Sequence, residues 1–297
     1  MAIRLGENQY GKAEVRVVRV DRGQGASDAH EIKDLNVSIA LGGDLEAVHL
    51  TGDNAHVVAT DTQKNTVFAY AREYPPGEIE EFGLRLARHF VDDFAPIRRA
   101  QVNIEEYAWT RIDVAGQPHP HAFRSAGAEK RLTTVTRQNG QDWVVSGLAD
   151  LVVLKSTGSE FWGYPRDRYT TLAEATDRIL ATAVTARWRF AHLGVDWAES
   201  FRVTRRLLVE TFAEHHSLSL QQTLYRMGEV VLTERPEICE IRMSMPNKHH
   251  FVVDLAPFGL ENEREVFHAD DRPYGLIQGA VEREGAPDSG QAWLSWR

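Results

Sequence analysis

The chain has 297 residues, 42% apolar and 26% charged, and a formal net charge of -9. That length suits one large domain or two of ordinary size, and the composition is that of a soluble globular protein. The negative charge excludes general electrostatic attraction to DNA or RNA, although a local pocket can still take a small anion.

The single cysteine, Cys239, excludes an internal disulfide framework and any Cys-rich zinc site. It lies in an alternating apolar and polar stretch and reads as a small buried hydrophobe. No apolar run approaches the roughly 18 residues of a membrane span. The start lacks a signal-peptide core, and the end is not Ser-Lys-Leu, so the expected location is the cytoplasm.

In chain order, 13–22 predicts a strand with Val15, Val17, Val18 and Val20 on its two faces, and 30–41 predicts a second. A polar Gly-rich loop joins them. A helix over 62–73 follows Thr60 and Asp61, either of which could help cap it. The next helix, 75–94, has Pro76 at its start, acidic residues in its first turn and a stripe of Ile79, Phe82, Leu86 and Phe90. Strands at 100–112 and 121–138 end at "QNGQ", which marks a hairpin or half boundary.

The pattern then repeats: strands at 142–157 and 184–193, helices at 197–215 and 219–234, and a last strand pair, "EICEIRMSM" and "HFVVDLAP", joined at a hairpin. Trp197, Phe201, Leu208 and Phe212 form the stripe of the first of these helices. The halves are 1–138 and 139–297, with an insertion at 158–181. This is an α+β class: two similar units with antiparallel sheets, each covered by a helix pair. Open sheets leave edges, and closure on oligomerisation would cover them.

Several motifs stay bland. His119 and His121 in "HPH" could pair on a metal, but a solvated loop is the plainer account. "EHHS" at 214–217 places cationic groups near a helix C-terminus. There is no G-x-G-x-x-G after a strand, no Walker loop, no G-x-S-x-G elbow and no H-E-x-x-H, and "GQG" at 23–25 is too short to count. What remains is scattered at strand ends and helix starts: Lys12, Thr60, Asp61, Arg178, Gln221, Asn247 and His249. The stretch "SMPNKHHF" is the least ordinary, since Lys248, His249 and His250 follow a Pro-Asn step directly.

The words "YGKAEVRV", "VVATDTQKNTVFAYA", "STGSEFWGYPRDRYTTLAEATDRIL", "SLQQTLYRM" and "MPNKHHF" occur in one order over nearly the whole chain. Together they resemble the urate oxidase (uricase) family. The resemblance implies tandem tunnelling-fold (ββααββ) units that close into barrels. It implies oxidation of urate by dioxygen to 5-hydroxyisourate and hydrogen peroxide in purine degradation, with no metal and no organic cofactor. Carried over by motif, Lys12, Thr60 and His249 form a proton relay. Arg178 holds a carbonyl and a ring nitrogen of the purine, Gln221 takes the opposite edge, and the Leu220 backbone lies beside it. Phe161 stacks on the ring, Asp61 contacts the far edge through its backbone, and Asn247 holds dioxygen or water above the ring.

The family also implies a homotetramer in which Lys12, Thr60 and Asp61 come from one subunit and Arg178, Gln221, Asn247 and His249 from another. No nucleic acid or membrane partner is expected. His250 departs from the aromatic residue associated with the position after the relay histidine, which makes the pH optimum less transferable. Two other readings remain open. A pterin- or purine-type enzyme of the same fold commonly needs a Cys/His zinc set or a different carboxylate anchor. A non-catalytic purine-binding tetramer would keep Arg178, Gln221 and Phe161 but has no need of Lys12 and Thr60.

Overall fold

The structure is a computed structural model that describes residues 3–23 and 29–294. The second half of the "GQG" step, the Gly-rich loop that follows it and the final three residues lie outside the described residues. The chain divides into two compact units, Met1–Gly147 with Pro287–Arg297, and Leu148–Ala286.

The first unit contains β1 (Tyr10–Asp21), β2 (Glu31–Gly43), the short α1 (Glu46–Leu50), α2 (Thr60–Glu73), α3 (Ile79–Asp92), β3 (Ile97–Val114) and β4 (Gln117–Gln138). β1 pairs with β2, β2 with β3 and β3 with β4, all antiparallel. The predicted alternation of β1 is present: Val15 and Val17 are buried while Val18 and Val20 face outward. α3 packs on β3 and β4 through the predicted stripe, with Ile79, Phe82, Leu86 and Phe90 all buried. Burying an apolar side chain of this size contributes roughly 1.5–3 kcal/mol relative to exposure.

α3 also brings a carboxylate into that core. Glu80 is fully buried, and accepts from Arg131 at 2.7 Å and from Ser146 at 2.6 Å. Burial pushes its pKa up, against the pull of Arg131. Asn139 and Gly140, at φ 50° and 76°, turn β4 back into β5 (Gln141–Lys155). Two consecutive left-handed residues suit the twist of a tight hairpin, as the Asn-Gly pair predicts.

The second unit takes the end of β5, then β6 (Leu180–Phe190), α4 (Trp197–Glu214), α5 (Leu220–Glu234), β7 (Ile238–Val252), β8 (Phe267–Asp270) and β9 (Leu276–Glu282), with a 3-10 turn at Ala256–Phe258. β7 pairs antiparallel with β6, β9 and β8. α5 packs on β7 and β9.

Two local expectations are corrected. α2 begins at Thr60 with Ala59 as its N-cap and no side-chain cap, so neither Thr60 nor Asp61 caps it. The expected hairpin is in fact continuous strand: β7 runs straight through "SMPNKHHF" and ends at Val252, within "HFVVDLAP". Pro246 is the misleading residue. It has no N–H to donate, but its fixed φ is compatible with extended backbone. Around it β7 changes neighbours: Pro246 pairs with Leu276 of β9, while His249 pairs with Asp270 of β8.

Candidate active site

A cavity of about 700 Å³ opens in the second unit, a size that suits a small ligand. Phe161, Arg178, Leu220, Gln221, Asn247 and His249 all line it, which is every second-unit residue in the expected set.

Each is held by a local device. Phe161 exchanges two backbone hydrogen bonds with Ala175, at 2.7 and 2.9 Å. Its ring stacks on Tyr164, with centroids 4.9 Å apart and planes 17° from parallel. Glu160 fixes the preceding position, since its carboxylate accepts from Trp162 at 2.7 Å and pairs with His216 at 2.7 Å. Those bonds, His216 first, hold its carboxyl below the ordinary glutamate value.

Arg178 sits just before β6. Its Nε donates to Ser159 Oγ at 3.3 Å, and its guanidinium lies 5.2 Å from the Phe161 ring centre. Ser159 belongs to a buried hydroxyl set with Ser217 and Thr223, whose Oγ1 donates to Ser217 Oγ at 2.8 Å. Burial lowers the Arg178 pKa, but a guanidinium remains charged through the working range.

Leu220 and Gln221 open α5. Ser219 caps the helix by accepting from the Gln222 amide at 3.1 Å. First-turn amides have no acceptor within their own helix, so those of Leu220 and Gln221 point toward anything bound at this end. Asn247 and His249 are two apart on β7 and therefore share a face. The Asn247 backbone N–H donates to Gly275 O at 2.8 Å, and the His249 ring stacks on Phe251 with centroids 5.6 Å apart.

Lys12, Thr60 and Asp61 belong to the first unit. Lys12 is half-buried on β1 opposite Ile39. Among the described residues neither the Lys12 ammonium nor the Thr60 hydroxyl makes a side-chain hydrogen bond or ion pair. Asp61 is exposed and bonded to Lys64 and Asn65. The Lys64 hydrogen bond, then its charge, and more weakly the Lys12 charge lower its pKa. Lys12 is thus within electrostatic reach of the residue that follows Thr60.

Sequence reasoning missed what sets Lys12 in place. A Cβ on Gly11 would lie 1.8 Å from Ile39 O, so only glycine permits this approach of β1 to β2. Just past Lys12 the register shifts. Glu14 adopts φ 57° there, and its amide donates to Ser38 Oγ at 2.9 Å. Such bulges re-aim side chains. It also missed Arg264, which lines the cavity and bonds to the Asp177 carbonyl beside Arg178. Only the "YG" before Lys12 offered a signal. Among the described residues no group of three His, Cys, Asp or Glu side chains is arranged to hold a metal ion, and no helix is long and apolar enough to cross a membrane.

The uricase family model matches residues 8–136 and 144–278. The uricase of Arthrobacter globiformis is 52% identical over 289 residues, covering 97% of this chain and 93% of that one. The chain belongs to the uricase family. The more distant uricase of Dictyostelium discoideum is 36% identical over 281 residues, covering 94% and 97%. The crystal structure of the Arthrobacter globiformis uricase matches with a TM-score of 0.92 over 97% of each chain. That of a Bacillus fastidious uricase matches at 0.78, with 25% identity over 95% of this chain and 94% of that one. The architecture is the antiparallel α+β tunnelling fold of this family, and the family places the chain among oxidoreductases, as a urate oxidase.

Proposed function

We propose that the chain converts urate, dioxygen and water to 5-hydroxyisourate and hydrogen peroxide through a Lys12–Thr60–His249 proton relay. The observation that carries the binding half is the second-unit cavity, where a stacking ring, a guanidinium, helix-end amides and a strand face converge.

Urate is flat, electron-rich and acidic. Phe161 offers a face for its ring. Arg178 can hold a carbonyl and a ring nitrogen with its planar fork, and charge favours the anion. The Gln221 side chain and the Leu220 amide meet the opposite edge, at a helix N-terminus that also favours negative charge. Asn247 and His249 share one face of β7 and line the same cavity, and they would hold a second reactant over the ring.

Deprotonated urate supplies two electrons, and dioxygen accepts them. Water adds a hydroxyl to the oxidised ring, and the protons released complete the peroxide. The protein's task is to move protons and fix geometry, and no step calls on a metal or organic cofactor. An ammonium is no base, so Lys12 accepts a proton only from its neutral form. Thr60 has no useful acidity but can accept on one side while donating on the other. His249 has two ring nitrogens through which it can orient a partner or relay a proton. Asp61 would meet the substrate through its backbone.

Lys12, Thr60 and Asp61 are first-unit residues, whereas the cavity lining is wholly second-unit. A homotetramer of dimeric barrels, in which each site takes the relay lysine and threonine from another copy, is what the family resemblance implies for these residues.

The test is loss of urate's ultraviolet absorbance in air, repeated under nitrogen and with chelator. Turnover in air that persists with chelator and stops under nitrogen is expected. Loss with chelator would refute cofactor independence, and anaerobic turnover would remove dioxygen as oxidant.

A further inference from the structure

We propose that Tyr10 is a positioning residue for catalysis, whose phenol grips the backbone of Val58 and so holds Thr60 in place for Lys12. The proposal rests on the Lys12–Thr60 relay described above.

The grip is two-handed. Tyr10 Oη donates to Val58 O at 3.1 Å and accepts from Val58 N at 2.7 Å. Two bonds from one hydroxyl to one residue fix orientation as well as distance, which a single bond does not. Both partners stand next to the relay. Tyr10 is two residues before Lys12 on β1, in unbroken register opposite Leu41 and Ile39, so the two side chains share a strand face. Val58 is two residues before Thr60, at the entry to α2.

That entry needs such a tie. Ala59 has no side chain with which to cap the helix, and residues 51–56 before it are exposed and carry no strand. The other anchor on Val58 is the fully buried Gln63, whose Nε2 donates to the same carbonyl at 3.1 Å. The Val58 amide is held by Tyr10 alone among the described bonds. Lys12, by contrast, is fixed by the Gly11 close approach on one side and the Glu14 bulge on the other. Tyr10 therefore sets the Thr60 side of the relay from the strand that carries its Lys12 side. Burial pushes the phenol's pKa up, so the donor half of the grip survives through mildly alkaline conditions.

Tyr10→Phe keeps the ring and removes only the grip. In the assembled full-length protein we expect kcat for urate to fall about 10- to 100-fold, since small misplacements of reacting groups carry losses of that order. KM, and the Kd of xanthine as a non-oxidised purine, should change by less than about 3-fold, because the substrate cradle is untouched. In a Lys12→Met background the same change should add almost nothing, as expected when two residues act through one step. An unchanged kcat in Tyr10→Phe beside a crippled Lys12→Met overturns this proposal alone. So does an equal loss in both backgrounds, or a loss of xanthine binding that matches the loss of rate. Full activity in Lys12→Met overturns the relay reading instead. If Tyr10→Phe fails to assemble, amide hydrogen exchange of the unmutated protein decides. The Val58 amide should exchange far more slowly than those of residues 52–56, and equal exchange would overturn the grip.

Discussion

The Arg178 guanidinium lies 5.2 Å from the centre of the Phe161 ring, with its Nε fastened to Ser159 Oγ. The two groups that would hold the purine's edge and face are therefore assembled by one chain before anything binds. Arg178→Lys keeps the charge and discards the fork. One charge-assisted hydrogen bond is worth about 1.5–3 kcal/mol, so KM for urate and Kd for xanthine should both rise about 10- to 100-fold. Steady-state kinetics and calorimetry check this, and an unchanged xanthine Kd would remove Arg178 from the cradle.

Glu160 gives a pH prediction. Its bonds to His216 and Trp162 lower its folded pKa. The order these bonds give to the Phe161 segment is thus present above the ordinary carboxylate range and is lost as pH falls through the lowered value. KM of the unmutated protein should be flat near neutrality and climb in acid. Glu160→Gln should show a KM raised a few-fold already at neutral pH, a modest effect because the His216 side of the pair is exposed to solvent. Parallel KM profiles for the two proteins would contradict the mooring role.

Gly11→Ala should damage both stability and rate. The added methyl would meet backbone at Ile39 O, which cannot swing aside as a side-chain tip can. A cost of about 1–3 kcal/mol or more in denaturant unfolding is expected from the forced strand shift. The loss in kcat should exceed the loss in xanthine affinity, because the shift displaces Lys12 and not the second-unit cavity.

Arg131→Met should cost about 3–5 kcal/mol, since it leaves the buried Glu80 carboxyl without its cationic partner. Adding Glu80→Gln should recover part of that, because the unpaired charge goes with it. Urea unfolding of the single and double variants measures the difference. No recovery would mean the loss came from packing of the arginine stem.

Part of this structure is legible in the sequence. The Ile79, Phe82, Leu86 and Phe90 stripe and the Asn139–Gly140 turn were legible because periodicity and turn chemistry are local. Arg178, Gln221, Asn247 and His249 stood out only as scattered polar residues, and with Phe161 they became one set through the family resemblance, since each alone is an ordinary loop, helix-end or strand residue. Their meeting in one cavity depends on long-range packing. Pro246 misled because proline marks turns by frequency, yet its φ also fits a strand that is changing neighbours. Tyr10, Gly11 and Glu14 stayed hidden because their roles lie in a backbone approach, a bulge and a hydroxyl reaching 48 residues along the chain. No spacing rule encodes those.

The central claim is that first-unit and second-unit residues of different copies make one urate site. Mixing inactive Lys12→Ala protein with inactive Arg178→Ala protein tests it most directly. After subunit exchange verified by mass, urate oxidation should return to about a quarter of the unmutated rate, because random symmetric pairing restores that share of sites. No recovery after verified exchange would contradict the account.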